Sequence, residues 1–403
     1  MSLSRRACAA FVSFALAGTS AAALAADPIT VPVLTPLTGA IADVGQDAKK
    51  SLSIAVDQIN AAGGINGQSL TIELVDTQGR PDIARREAER VMKLKKVAVV
   101  LGCDGSGSTS VSAQVAEQTN VVYMNSGAVS TEFFERGYQW YFSDQVTGGD
   151  EAGAAIGLAE HLYRSRPSTT KVAFLYEDSP RGTGTTKQSI ELAKQRGIPV
   201  VASFSYNRAE RSMLPLVTKL RESGANLIVW TSYIEDTVAG LNAMRDLDYF
   251  PYVIGIGNGA GHVRLPTLVT PEVINKVHLA VVDYFNADLK RAAPFVEAYS
   301  KKFGIAPSGY ASMCYRGIYT LKAAFEAAGK GGAAITPATI RAALLSLDIP
   351  GDETIAPYKF IRFDKTGRNL GAQSIVQQWR EGATKKLTVW PEDVANAKPD
   401  PLQ

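Results

Sequence analysis

The chain is poor in the residues that carry covalent and metal chemistry: its 403 residues hold three histidines and three cysteines. His161, His262 and His278 fall at no metal-ligand spacing such as H-x-x-x-H, and His161 reads as part of an amphipathic helix, His278 as a structural residue at a strand. No G-x-S-x-G elbow, phosphate-binding G-x-x-x-x-G-K-[ST] loop or C-x-x-C pair occurs, so nucleophilic, phosphoryl and dithiol chemistry lack their parts. Gly255, Gly257, Gly259 and Gly261 miss the G-x-G-x-x-G order of a dinucleotide site. These absences point away from an enzyme and from a resident metal or cofactor. An excess of one charge is missing too: 42 Lys and Arg against 39 Asp and Glu give +3, which singles out neither nucleic acid nor an anionic membrane as partner. There is no repeat, no low-complexity tract and no Pro/Gly/Ser-rich linker.

Long apolar runs are confined to the beginning. Arg5 and Arg6 precede the small, apolar stretch Ala7 to Leu24, and Ala-Leu-Ala-Ala before Asp27 offers an A-x-A-like cleavage site. Residues 1–26 therefore read as a signal peptide and the mature chain as a periplasmic protein. Ser4-Arg5-Arg6 leaves general and twin-arginine export both open. No later segment approaches the roughly 20 apolar residues of a membrane-spanning helix. Removing the leader takes the formal charge from +3 to +1 and leaves Cys103 and Cys314. Those two read first as buried small hydrophobes and second as a disulfide pair. Roughly 375 mature residues exceed what one hydrophobic core serves, so two lobes are expected.

What is present is a sustained alternation of strand and helix, which predicts parallel sheets covered on both faces. Ala48, Leu52, Ala55, Val56 and Ile59 share one face of a first helix. Gly63-Gly64 stops it, and Asn66-Gly67 turns the chain into a strand over Ser69–Asp76. Pro81 opens a helix to about Leu94, and VAVVLG at Val97–Gly102 is a short buried strand. The alternation continues through strands predicted at Lys171–Tyr176, Val200–Tyr206, Asn226–Trp230, Tyr252–Ile256 and Val277–Val282. Three helices and three antiparallel strands, Tyr358–Phe363, Ser374–Trp379 and Lys386–Val389, close the chain. In open α/β sheets ligands bind outside the carboxyl ends of the strands, and the loops that begin at Thr35 and at Cys103 lie there.

Several stretches together resemble the exported solute-binding proteins of ABC importers in the branched-chain amino-acid-binding (Leu/Ile/Val-binding) family. They are Pro36-Leu37-Thr38-Gly39, the run from Asp57 to Gly67, Gly105-Ser106-Gly107-Ser108-Thr109, Asn125-Ser126-Gly127-Ala128 and Pro307-Ser308-Gly309-Tyr310. Their order and spacing cover nearly the whole mature chain. The resemblance implies a type I periplasmic binding fold: two Rossmann-like lobes with parallel sheets flanked by helices, joined by a three-strand hinge. It places lobe one at 27–142 plus 282–360 and lobe two at 143–281 plus 361–403. It further implies a monomer that closes on a small-molecule ligand and delivers it to an ABC permease and its ATPase in the inner membrane. A periplasmic sensor that presents its ligand to a signalling receptor is the alternative.

The same resemblance assigns the ligand-binding positions. Ser106 aligns with the family's carboxylate-binding serine, Gly107 lies beside it on the helix start, and Gly127 is a backbone contact on the neighbouring loop. The helix start offers free amides to a carboxylate, while its hydroxyls also suit plain N-capping. Where the family has a hydroxyl two residues after Gly127 this chain has Val129, with Ser130 next to it. Tyr233 matches a ligand-contacting tyrosine, and Tyr310 an aromatic wall. Val44 stands where the family has a large aromatic side chain. Arg181 replaces an aromatic residue; it either grips an anion bidentately or is a solvated loop arginine. Asn258 stands in the region that carries the acidic partner of a ligand ammonium, with Glu235 and Asp236 nearby as substitutes or as exposed first-turn residues. The implied ligand is a carboxylate, amino-acid-like or amide compound other than a standard branched-chain amino acid.

Overall fold

A computed structural model describes residues 27–95, 97–208 and 212–402; the expected signal peptide, 1–26, lies outside the described residues. The first half runs β1 (Ile29–Thr35), α1 (Ala42–Ala61), β2 (Leu70–Asp76), α2 (Pro81–Glu89), β3 (Val99–Gly102), α3 (Ser106–Thr119), β4 (Val122–Asn125) and β5 (Tyr141–Ser143). Next come α4 (Gly148–Ser165), β6 (Val172–Glu177), α5 (Pro180–Gln195), β7 (Val200–Tyr206), α6 (Leu214–Glu222), β8 (Leu227–Thr231), α7 (Ile234–Asp246) and β9 (Tyr252–Ile256). Three short helices, α8 (Asn258–Gly261), α9 (Leu265–Leu268) and α10 (Pro271–Lys276), lead to β10 (Ala280–Asp283). The chain finishes with α11 (Ala293–Phe303), α12 (Gly309–Ala328), α13 (Pro337–Leu345), β11 (Ile349–Pro350), β12 (Phe360–Ile361), β13 (Ile375–Arg380) and β14 (Lys385–Trp390).

Two main sheets organise these elements. One has the order β2-β1-β3-β4-β5 and is parallel throughout. The other has the order β14-β13-β10-β9-β8-β6-β7, parallel from β10 to β7, with β13 and β14 added antiparallel at the end. Short buried runs such as VVLG in β3 and LIVWT in β8 form central strands because both faces are covered by helices. In β6, Val172 and Phe174 join one hydrophobic cluster while Ala173 and Leu175 join another, so successive side chains feed opposite faces. In α1, Ala48, Leu52, Ala55 and Ile59 are buried against β1, β3 and α12. Each large aliphatic side chain so buried contributes roughly 1.5–3 kcal/mol.

The chain passes between the two sheets three times, after β5, after β10 and after β12. Hydrogen bonds tie the crossings together: Ser143 N–H donates to Gly367 O at 2.8 Å, and Asn369 N–H to Ser143 O at 3.1 Å. Among the described residues no helix is long and apolar enough to cross a membrane.

Several sequence expectations are corrected. Cys103 and Cys314 form a disulfide, with Cα atoms 6.0 Å apart, rather than packing as free hydrophobes. The helix from Pro81 is α-helical only to Glu89 and continues as a wider π turn over Arg90–Leu94. The strand expected from Val277 starts at Ala280, because α10 occupies Pro271–Lys276 and His278 adopts φ +43° in the turn after it. The strand expected over Tyr358–Phe363 shrinks to Phe360–Ile361, paired with β11.

Candidate ligand-binding site between the two sheets

The strand orders themselves create the site. In the order β2-β1-β3, the helices that follow β1 and β3 leave toward opposite faces. α1 packs with Val33 and Leu101, and α3 with Leu34 and Val100. Their divergence opens a crevice at the carboxyl ends of the two strands. The second sheet repeats the order as β7-β6-β8: α5 packs with Phe174 on one face and α7 with Leu175 on the other. The two crevices face each other across a cavity of about 20 Å³. That is about the room one water needs.

Ser106, Gly127, Val129 and Tyr310 from the first crevice and Arg181 and Tyr233 from the second all line this one cavity. Gly107 does not; a methyl on it would point at Pro81 Cγ, 3.6 Å away. The side chain of Asn258 lies outside the described residues. Val44 lines the cavity, whereas Ser130 borders a separate outer groove that Arg181 also reaches.

The bland reading of Ser106 as a capping hydroxyl does not hold. The N-cap of α3 is Gly105, with no side-chain cap, and Ser106 Oγ is buried without a hydrogen-bond partner among the described residues. With the first-turn amides that any helix leaves unpaired, it presents donors to the cavity. Asp104 folds the loop behind it, accepting from Gly105 N–H at 2.7 Å and from the Thr77 hydroxyl. Burial pushes the Asp104 carboxyl up to about 6. Gly127 fits against this loop because a methyl there would lie 2.6 Å from the Asp104 backbone N and O.

Arg181 is not a solvated loop residue. It sits in the first turn of α5, 9% exposed, and its Nη2 donates to Glu151 Oε1 and Oε2 at 3.0 and 3.3 Å. Burial works against its charge, but Glu151, Tyr233 and Tyr310 outweigh it and hold the guanidinium protonated. Nη1 is buried with no partner among the described residues. Gly257, at φ +89°, accommodates the guanidinium, since a methyl there would lie 2.6 Å from both terminal nitrogens. Burial pushes the Tyr233 phenol up to about 12, and Tyr284 and Tyr310 well above the usual range, so all three rings keep their protons.

Sequence reasoning missed four members of the site. Ile41, Tyr284 and Met313 line the cavity, and Glu151 partners Arg181. It also passed over Asp43, whose carboxyl burial raises to about 6, aided by Glu235 and Asp47, and whose Oδ2 is buried without a partner among the described residues. Of the substitutes named for Asn258, Glu235 is exposed on its side chain, and Asp236 is occupied by Arg208, by the Tyr206 hydroxyl and by Tyr233 N–H. Taken as chemistry, the cavity joins hydroxyl, amide and guanidinium donors to aromatic and aliphatic walls, which suits an anionic head on a compact body.

Comparison with known proteins gives the following. A family model described as periplasmic binding protein matches residues 28–384. The Leu/Ile/Val-binding protein homolog 8 of Brucella suis is 34% identical over 413 aligned positions, covering 99% of either chain. A branched-chain amino acid transporter substrate-binding protein from Streptococcus pneumoniae, solved with isoleucine, superposes with a TM-score of 0.72 at 19% identity, over 89% of this chain and 97% of its own. A solute-binding protein of an ABC transporter from Rhodopseudomonas palustris, solved with 3,4-dihydroxybenzoic acid, also gives 0.72 at 18% identity, over 90% and 95%.

Proposed function

The chain belongs to the periplasmic binding protein family, alongside Leu/Ile/Val-binding protein homologues, and from that premise we propose that it is the exported solute-binding component of an ABC importer. In this reading the two sheet-centred halves are lobes that close on a small carboxylate and hand it to a membrane permease driven by an ATPase. Closure about a hinge fits the three crossings between the sheets. The ligand class rests on one observation: Ser106 Oγ and Arg181 Nη1, from residues on opposite sides of one cavity, are buried donors without a partner among the described residues. Leaving such groups unmet costs about 1–3 kcal/mol each, which an anionic head would recover. The neighbour solved with an aromatic acid supports such a ligand on this fold.

A second reading, a branched-chain amino acid, is favoured by Asp43. Its Oδ2 is buried without a partner among the described residues, and its charge acts on the Tyr233 and Tyr310 phenols, so it is the acceptor an ammonium near those rings would meet.

A thermal-shift screen of the mature, ligand-stripped chain tests the proposal, because a ligand that binds only the folded state raises its stability as RT ln(1 + [L]/Kd). Carboxylates without an amine are expected to raise the midpoint, and Ser106→Ala to weaken them by roughly 10- to 100-fold, the worth of about 1.4–3 kcal/mol. A response to leucine, isoleucine or valine alone, abolished by Asp43→Asn, sinks the carboxylate reading in favour of the second.

A further inference from the structure

A cation outside the cavity lining joins the two halves. Arg208 follows β7 in the second half, with 19% of its side chain exposed. Three groups of its own half hold it. Nε donates to Asp236 Oδ2 at 3.2 Å, Nη2 lies 3.5 Å from Glu235 Oε2, and the guanidinium carbon lies 4.2 Å from the centroid of the Tyr233 ring. A fourth partner belongs to the other half: Nη2 also donates to Ala40 O, 3.4 Å away on the loop between β1 and α1.

Both the ring and the loop lead to the binding cavity. Tyr233 lines it from the second half, and its hydroxyl reaches so far toward the first that a methyl on Gly105, the N-cap of α3, would lie 3.8 Å away. A guanidinium is attracted to the face of an aromatic ring, so Arg208 orients Tyr233 from outside the cavity. The Ala40 loop runs directly into Ile41 and Val44, which line the cavity from the first half. The seam also opposes like charges. The Asp43 carboxyl on α1 is raised by Glu235 on α7 and lowered by Arg208. Closing the halves therefore sets one carboxylate of each half against the other, and Arg208 is a cation that acts on both.

We propose that Arg208 is a positioning residue of the cleft, which holds Tyr233 in place and clasps the Ala40 loop when the halves close, offsetting the repulsion between Asp43 and Glu235. This role rests on the reading of the two halves as closing lobes.

Small-angle scattering of the mature chain without ligand tests it. Arg208→Met, which keeps a long apolar stem over Tyr233, is expected to lower the closed-to-open ratio roughly fivefold and to enlarge the radius of gyration. Arg208→Lys keeps the charge without the planar fork and is expected to fall between the two; it serves if Arg208→Met does not fold. Adding Glu235→Gln to Arg208→Met is expected to restore part of the compactness, a rescue that loss of packing alone would not show. Identical scattering from the native chain and the Arg208 variants, or a double variant no more compact than Arg208→Met, overturns the proposal. Val44→Trp, which wedges the cavity from α1, marks the open form. A response to that wedge with none to Arg208→Met removes the clasp and leaves the closing lobes standing, whereas no response to either removes both. A wrong ligand class shows separately, in the thermal-shift screen.

Discussion

At the scale of single residues, the site depends on a charge kept out of water by design of its neighbours. Arg181 and Glu151 are both nearly or fully buried, 10% and 0% exposed on their side chains, and each is the other's main compensation. Removing one member of such a pair strands the other in a low-dielectric setting, at a typical cost of about 3–5 kcal/mol. Arg181→Met is therefore expected to lower the unfolding free energy measured by urea titration by that amount at neutral pH. The double variant Arg181→Met/Glu151→Gln is expected to regain most of it, because no unpaired charge remains. A single-variant cost below about 1 kcal/mol would mean that water reaches Glu151 and that the donors facing the cavity are less exclusive than their burial indicates.

At the scale of elements, the Cys103–Cys314 disulfide pins the end of β3 to α12, one residue before the loop that carries Asp104 and Ser106. It closes a sequence separation of 211 residues, for which the chain-entropy treatment gives about 5 kcal/mol and measured cases typically about 2–4. Cys103→Ala/Cys314→Ala is expected to lose stability in that range and to weaken the cleft ligand, since Tyr310 and Met313 on α12 would no longer be held against the β3 loop. An unchanged ligand affinity would show that packing alone fixes the two elements. The alternation of strands and helices was legible because periods of 2 and 3.6 report which faces are buried, and the family spacing carried Ser106, Gly127, Arg181, Tyr233 and Tyr310 to one cavity. What escaped was non-local. The cysteine pairing spans too much sequence for spacing to show it, and the Arg181–Glu151 pair joins α5 to α4 across 30 residues. Val277 and Leu279 are both buried, which mimics a strand, yet one ends α10 and the other follows the left-handed turn at His278.

At the scale of the whole molecule, the proposed hinge opening would separate groups that face each other between the two sheet-centred halves, and one of them titrates. His262, just after α8, is 3% exposed, with Nε2 3.9 Å from Asp47 Oδ2 on α1. Asp47 is itself held by the Ser308 hydroxyl and by Tyr299 OH at 3.4 Å. Burial, with the positive charges of Arg264, Lys386 and Lys50, pulls the His262 imidazole from its ordinary 6.5 down to about 3. A base depressed in this way favours the closed form fully above pH 6.5 and loses that contribution as pH falls toward 3. If opening exposes the ring and restores its ordinary value, going from pH 7 to pH 5 shifts the balance toward the open form by about 25-fold, or about 2 kcal/mol. Asp47 works the other way, because burial raises its carboxyl and the closed form takes up that proton more readily. The contribution of His262 is therefore read as a difference, by comparing the native chain with His262→Gln in small-angle scattering and ligand titration at both pH values. The native chain is expected to expand and to lose affinity on acidification more steeply than the variant, by roughly that 25-fold factor. Parallel pH curves would mean that the ring stays buried when the halves part, and that the hinge moves about a contact which includes it.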